Sequence, residues 1–196
     1  MADLERNKRE EGTDGKQTPP VFRAAKESAY LAVFVALLIA AQFAFSFLPG
    51  LEIVTVLFIG YAFVFGVSRG MLAATAFSLL RMFLFGFQPN VLVLYLVYYN
   101  ALTALFGGIG RRVKEGKELR SLWWIVLIAC LCTASFSMLD NLITPLWYGF
   151  TARAAKAYFF ASLSVMLPQV VCTLVSVGLL FLPLQKTFGL IKKGLR

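Results

Sequence analysis

A succession of apolar runs, almost free of charge, fills residues 29 to 185 and is broken only by short polar turns. A helix needs about 20 predominantly apolar residues to cross the hydrocarbon core of a bilayer. Lipid supplies no hydrogen-bond partner, so each run must satisfy its own backbone, which restricts it to helix. The pattern predicts an all-α membrane protein, a bundle of six transmembrane helices. The first span is expected from Ala29 to Leu48, stopping at the turn signal Pro49-Gly50. The second starts near Glu52 and ends near Gly66, and Val67 to Gly70 separate it from a third that reaches Gly86. Gln88, Pro89 and Asn90 turn the chain into a fourth span, which ends at Gly107-Gly108. A basic loop over 111–120 leads to a fifth span from Leu122 to Trp147 and a sixth from Tyr158 to Leu184.

Charge settles what flanks the bundle. Only 15% of the residues are charged and the mean hydropathy is +0.76, whereas a soluble domain carries roughly 25% charged residues. Residues 1–28 are polar, mixed in charge and punctuated by Gly12, Gly15, Pro19 and Pro20, so they read as a mobile cytoplasmic tail rather than a secretory leader. Residues 29–185 form the membrane domain, and 186–196 read as a basic cytoplasmic tail. With the N-terminus inside, 16 of the 19 Lys and Arg fall on the tails, at Arg69 or in the 111–120 loop. The opposite loops hold only Arg153 and Lys156. Positive-inside logic predicts both termini in the cytoplasm and a multi-pass protein of the cell membrane.

The same distribution disposes of several function classes. A net charge of +9 arranged between apolar runs suits anionic lipid headgroups, and no polar segment offers a base-stacking platform, so no nucleic-acid partner is expected. Histidine is absent, which removes Ser-His-Asp and Cys-His catalysis and His-ligated metals. Cys130, Cys132 and Cys172 lie in apolar runs at spacings that fit no zinc motif. Neither an enzyme, a resident metal nor a cofactor is expected. There is also no Gly-x-x-x-x-Gly-Lys-Ser/Thr loop to cradle a nucleotide.

Ala32, Ala36, Ala40 and Ala44 recur every four residues through the first span, which sets them on one helix face. Small residues let helix backbones approach closely in lipid, where packing drives association. The stripe is a docking surface, either for the rest of the bundle or for another protein. With this ladder, the run from Pro49 through Gly50, Leu51, Glu52, Ile53 and Val54 to Thr55, and Phe65-Gly66 before a short basic turn, the chain resembles the S components of energy-coupling factor (ECF) transporters. The resemblance covers about residues 29 to 185. It implies a substrate-binding subunit whose alanine face docks a membrane-embedded T component, itself coupled to two cytoplasmic ATPase subunits. Loops 48–52, 86–91 and 148–157 would then act as lids over a site near the outer face. Nickel and cobalt S components carry an N-terminal histidine motif that this chain lacks.

Ionisable residues inside a membrane are costly and mark function by default. Three lie in or beside the spans: Glu52, Arg81 and Asp140. At 1.5 Å per residue, Arg81 lies roughly 16 Å past Gly70 and Asp140 about 10 Å below Trp147, which puts all three in the outer half. Polar faces run with them. Thr133, Ser137, Asp140, Thr144 and Trp147 share one face of the fifth span, and Ser162, Met166, Gln169, Thr173 and Ser176 one face of the sixth. Ser78, Arg81, Phe85 and Gln88 do the same on the third, opposite Tyr95, Tyr99 and Asn100 of the fourth. The candidate substrate-binding set is Glu52, Arg81, Gln88, Asn90, Tyr95, Asn100, Asp140, Thr144, Trp147 and Gln169. The competing reading is structural: Arg81 pairs with Glu52 or Asp140, the Ser and Thr stripes bond helix to helix, and Trp147, Tyr148 and Tyr158 form an interfacial belt. Two carboxylates, one guanidinium and several rings would suit a small, flat, zwitterionic or polar molecule such as a vitamin or cofactor precursor. A stand-alone secondary transporter, proton-coupled through Asp140 or Glu52, is the alternative, although the halves show no internal repeat.

Overall fold

The computed structural model describes residues 20–47, 53–113 and 118–195. Most of the N-terminal tail, the Pro49-Gly50 turn and Glu52 lie outside the described residues. The rest is helical, in the order α1 (Pro20–Phe45), α2 (Val54–Phe65), α3 (Val67–Phe85), α4 (Pro89–Arg112), α5 (Glu118–Trp147) and α6 (Ala152–Gly194), with no strand among the described residues. Five of the six are long and apolar enough to cross a membrane. Large apolar side chains such as Val33, Leu72, Phe83, Leu131 and Leu179 stand exposed around the outside, the surface of a helical protein whose solvent is lipid.

The sixth helix, α2, departs from the expected span. Its 12 residues rise only about 18 Å, too little for a hydrocarbon core of about 30 Å. Every residue from Val54 to Phe63 is buried, because α1, α3, α4 and α6 all pack around it. Its rings knit these neighbours together. Phe34 of α1 stacks on Tyr61 at 4.0 Å, and Phe58 meets Phe77 of α3 at 5.3 Å and Tyr99 of α4 at 4.6 Å. Phe188 of α6 closes edge-on against Phe34 and Tyr61. An unbroken apolar sequence is as consistent with a hub helix as with a lipid-facing one.

One glycine joins α2 to α3. Gly66 has φ +88° and ψ 178°, a conformation essentially confined to glycine, and its N–H closes the end of α2 by bonding the Ala62 carbonyl at 2.8 Å. At the same end α4 crosses very close. A Cβ at Gly110 would overlap the Phe63 carbonyl oxygen, and one at Gly107 would sit 2.7 Å from the Val67 nitrogen.

Contacts sort the helix ends into two groups. At one end Arg69 bonds Glu27 of α1 at 2.7 Å, and Lys192 of α6 donates to the Val64 carbonyl at the C-terminus of α2, where a cation suits the helix dipole. Arg111 lies beside Gly66. The opposite end gathers the C-termini of α1, α3 and α5 with the N-termini of α2, α4 and α6. Segment 186–196, expected as a basic cytoplasmic tail, is helical as far as Gly194. Helix α6 continues through it, with Phe188 and Leu195 buried; Phe188 packs on Phe34 of α1 and on Tyr61 and Phe65 of α2, while the lysines reach outward or cap a helix end.

Candidate functional site

At the end away from the basic cluster, all six helices leave a cavity of about 360 Å³. Its walls are rings: Phe45 from α1, Phe85 from α3, Tyr95 and Tyr99 from α4, and Phe136 from α5. Three polar side chains reach into it, Gln42, Arg81 and Gln169, with Ser46 and the start of α2 (Ile53, Val54) at its edge.

Arg81 sits where it does because α3 is anchored by Ala73, Ala74, Phe77 and Ser78, all buried, which turns the following residue on that face toward the cavity. Its guanidinium lies over the Tyr95 ring at 4.3 Å and near Phe85 at 5.1 Å, cation–π contacts that gain strength away from water. No ion pair joins it to a carboxylate among the described residues, and its Nε is buried without a hydrogen-bond partner. Across the cavity, Gln42 Nε2 donates to the Tyr95 hydroxyl at 3.0 Å, while Gln42 Oε1 is buried with no partner.

Asp140 belongs to a different centre. Thr144 donates to its Oδ1 at 2.8 Å and the Tyr158 hydroxyl to its Oδ2. Asn90 extends the chain, donating to Thr144 at 3.3 Å and accepting from the Tyr148 hydroxyl at 3.3 Å. This network joins the start of α4, the end of α5 and the start of α6. Asn90 and Thr144 are buried in it. None of these residues lines the cavity.

The expected site therefore divides. Arg81, Tyr95 and Gln169 converge on the cavity, and Tyr99 and Phe85 join them. Asp140, Thr144 and Asn90 form the separate network, so the pairing of Arg81 with Asp140 that the competing structural reading offered does not occur. Asn100 bonds the Leu96 carbonyl at 2.8 Å and Thr75 at 3.4 Å and stays outside the cavity, holding α4 to α3. Gln88 and Trp147 are exposed. Glu52 precedes Ile53 at the cavity edge but lies outside the described residues. Tyr158, expected in the aromatic belt, bonds Asp140. The Ser and Thr stripe of α6 follows the structural reading: Thr173 bonds Thr133 of α5 at 3.0 Å, and Ser162 accepts from Asn141 at 2.7 Å.

Gln42 is the residue that reading the sequence missed. An amide inside an otherwise apolar helix is itself a signal, because lipid leaves it unsatisfied, but the alanine ladder two residues earlier drew attention away. That ladder faces outward. Ala32, Ala36, Ala40 and Ala44 are all exposed, and α1 instead buries Phe34, Val35 and Leu38. No protein-family model, curated protein or solved structure matches this chain.

Proposed function

We propose that the protein is the substrate-binding membrane subunit of an ATP-driven importer of the ECF type, acting on a vitamin or similar small polar molecule. The observation that carries this reading is the aromatic, Arg81-bearing cavity into which all six helices reach. Ligand sites between the helices of a bundle have this form, mostly apolar with a few placed polar groups. The basic end, with Arg69, Arg111 and Lys192, would face the cytoplasm and both termini would lie inside. The cavity would then open toward the outside. The exposed alanine face of α1 supports a partner: a smooth stripe left free by its own bundle suits a T component, which would couple the protein to two ATPase subunits. Substrate would reach the cytoplasm only when those subunits turn over ATP.

A stand-alone proton-coupled transporter is the second reading, and Asp140 is the observation that favours it. A carboxylate held between two hydroxyls inside the bundle is the kind of group that proton relays use. Uptake assays separate the two. The ECF reading predicts that transport fails without the ATPase subunits and survives a protonophore, and that Ala36→Leu with Ala40→Leu abolishes co-purification of partners while the protein alone still binds substrate. Uptake by the isolated chain, driven by a proton gradient, would contradict it.

A further inference from the structure

We infer that the cavity takes an aromatic or heteroaromatic molecule carrying one carboxylate and an N–H or O–H donor; this rests on the reading of the cavity as a substrate site. Arg81 is permanently charged, and a cation inside a membrane bundle is costly unless something answers it. Among the described residues, no acidic side chain lines the cavity. Asp140, the nearest expectation for that role, has both oxygens occupied by Thr144 and Tyr158. The Arg69–Glu27 ion pair is at the opposite end of the molecule. Among the described residues, the charge on Arg81 is thus left for a ligand.

Geometry narrows the ligand. Tyr95 covers a face of the guanidinium, which leaves its planar N–H edge for a planar acceptor, and the buried Nε has no partner of its own. A carboxylate matches that fork with two parallel hydrogen bonds. One arginine without a second cation beside it favours a single negative charge over a diacid or a phosphate ester. The described lining holds no carboxylate to pair with an ammonium and Arg81 would repel one, so the zwitterion allowed by two carboxylates gives way to a simple anion. Gln42 Oε1 is a buried acceptor with no donor, and a ligand N–H or O–H would relieve the desolvation cost. The ring walls suit a flat body, and about 360 Å³ lies at the small end of the ligand pockets of about 300–1,000 Å³.

The test uses the full chain in detergent micelles and titration calorimetry with two matched triads. These are indole-3-acetate, indole-3-acetamide and tryptamine, and 4-hydroxybenzoate, 4-hydroxybenzamide and 4-hydroxybenzylamine. The carboxylate of each triad should bind at least about tenfold more tightly than its amide, the scale of a charge-assisted pair, and the amine should not bind. Arg81→Gln should erase the preference. Arg81→Lys, which keeps the charge but not the planar fork, should retain part of it, and both variants are checked for an unchanged melting transition. Glu52→Gln should leave the preference standing. Amides or amines binding as well as carboxylates, or carboxylate binding only after Glu52→Gln, would overturn the anion assignment and leave the cavity a binding site. No saturable binding by any of the six compounds to folded protein would overturn the substrate-site reading as well.

Discussion

Arg81 and Asp140 lie in the same half of the bundle, yet each has been given its own company. Arg81 lies among rings, and Asp140 among hydroxyls. Losing a hydroxyl from the second group leaves a carboxylate with one donor fewer. Tyr158→Phe should therefore destabilise the detergent-solubilised protein by about 1–2 kcal/mol, read from unfolding in a denaturing detergent, while leaving ligand affinity unchanged. A loss of affinity without a loss of stability would instead tie Asp140 to the cavity. Backbone approach gives a sharper contrast. Gly110→Ala forces a methyl group into the Phe63 carbonyl and should cost about 1–3 kcal/mol or prevent folding, whereas Gly108→Ala, which meets nothing within 4 Å, should be neutral. At this scale the sequence was half legible. Arg81, Tyr95 and Gln169 were found because polar groups in apolar helices announce themselves. Asp140, grouped with Arg81 from the sequence, lies in a separate network, because spacing along a helix gives the face of a residue but not which neighbouring helix that face meets.

Among the elements, α2 and α1 carry the contrast between what packs and what is left free. The hub helix α2 is short, and its side chains fill the space between four others. Phe58→Ala should open a void that those helices cannot close and cost about 3–5 kcal/mol. Phe83→Ala, on a side chain 87% exposed to lipid, should shift stability by no more than about 0.5 kcal/mol. Melting transitions in the same detergent compare them directly. Apolar runs and turn residues marked every helix, and Gly66, Gly86 and Pro89 stand at their ends as turn chemistry requires. What they could not mark was depth in the bundle: α2 was expected only as the second span, and the sixth span was expected to end near Leu184. Burial of Phe188 and the bond from Lys192 to α2 depend on contacts between the two ends of the chain, which no local pattern records.

On the scale of the whole molecule, alternating helices divide the chain into a basic end and an aromatic end. The uneven distribution of Lys and Arg made that division readable before any coordinates. Trp124 and Trp147, both exposed on α5, are separated by roughly 34 Å at 1.5 Å per residue, close to the thickness of the hydrocarbon core, and suit belts at the two interfaces. A membrane-impermeant thiol reagent added to intact cells should label Gln88→Cys, at the cavity end, and should reach Lys193→Cys only after permeabilisation. The reverse pattern would invert the orientation. Native mass spectrometry of the full chain purified from its own host would show whether the cavity holds a substrate. The expected result is a retained small-molecule mass that is lost in Arg81→Gln. A protein that flies without ligand, or a mass retained equally by that variant, would contradict it.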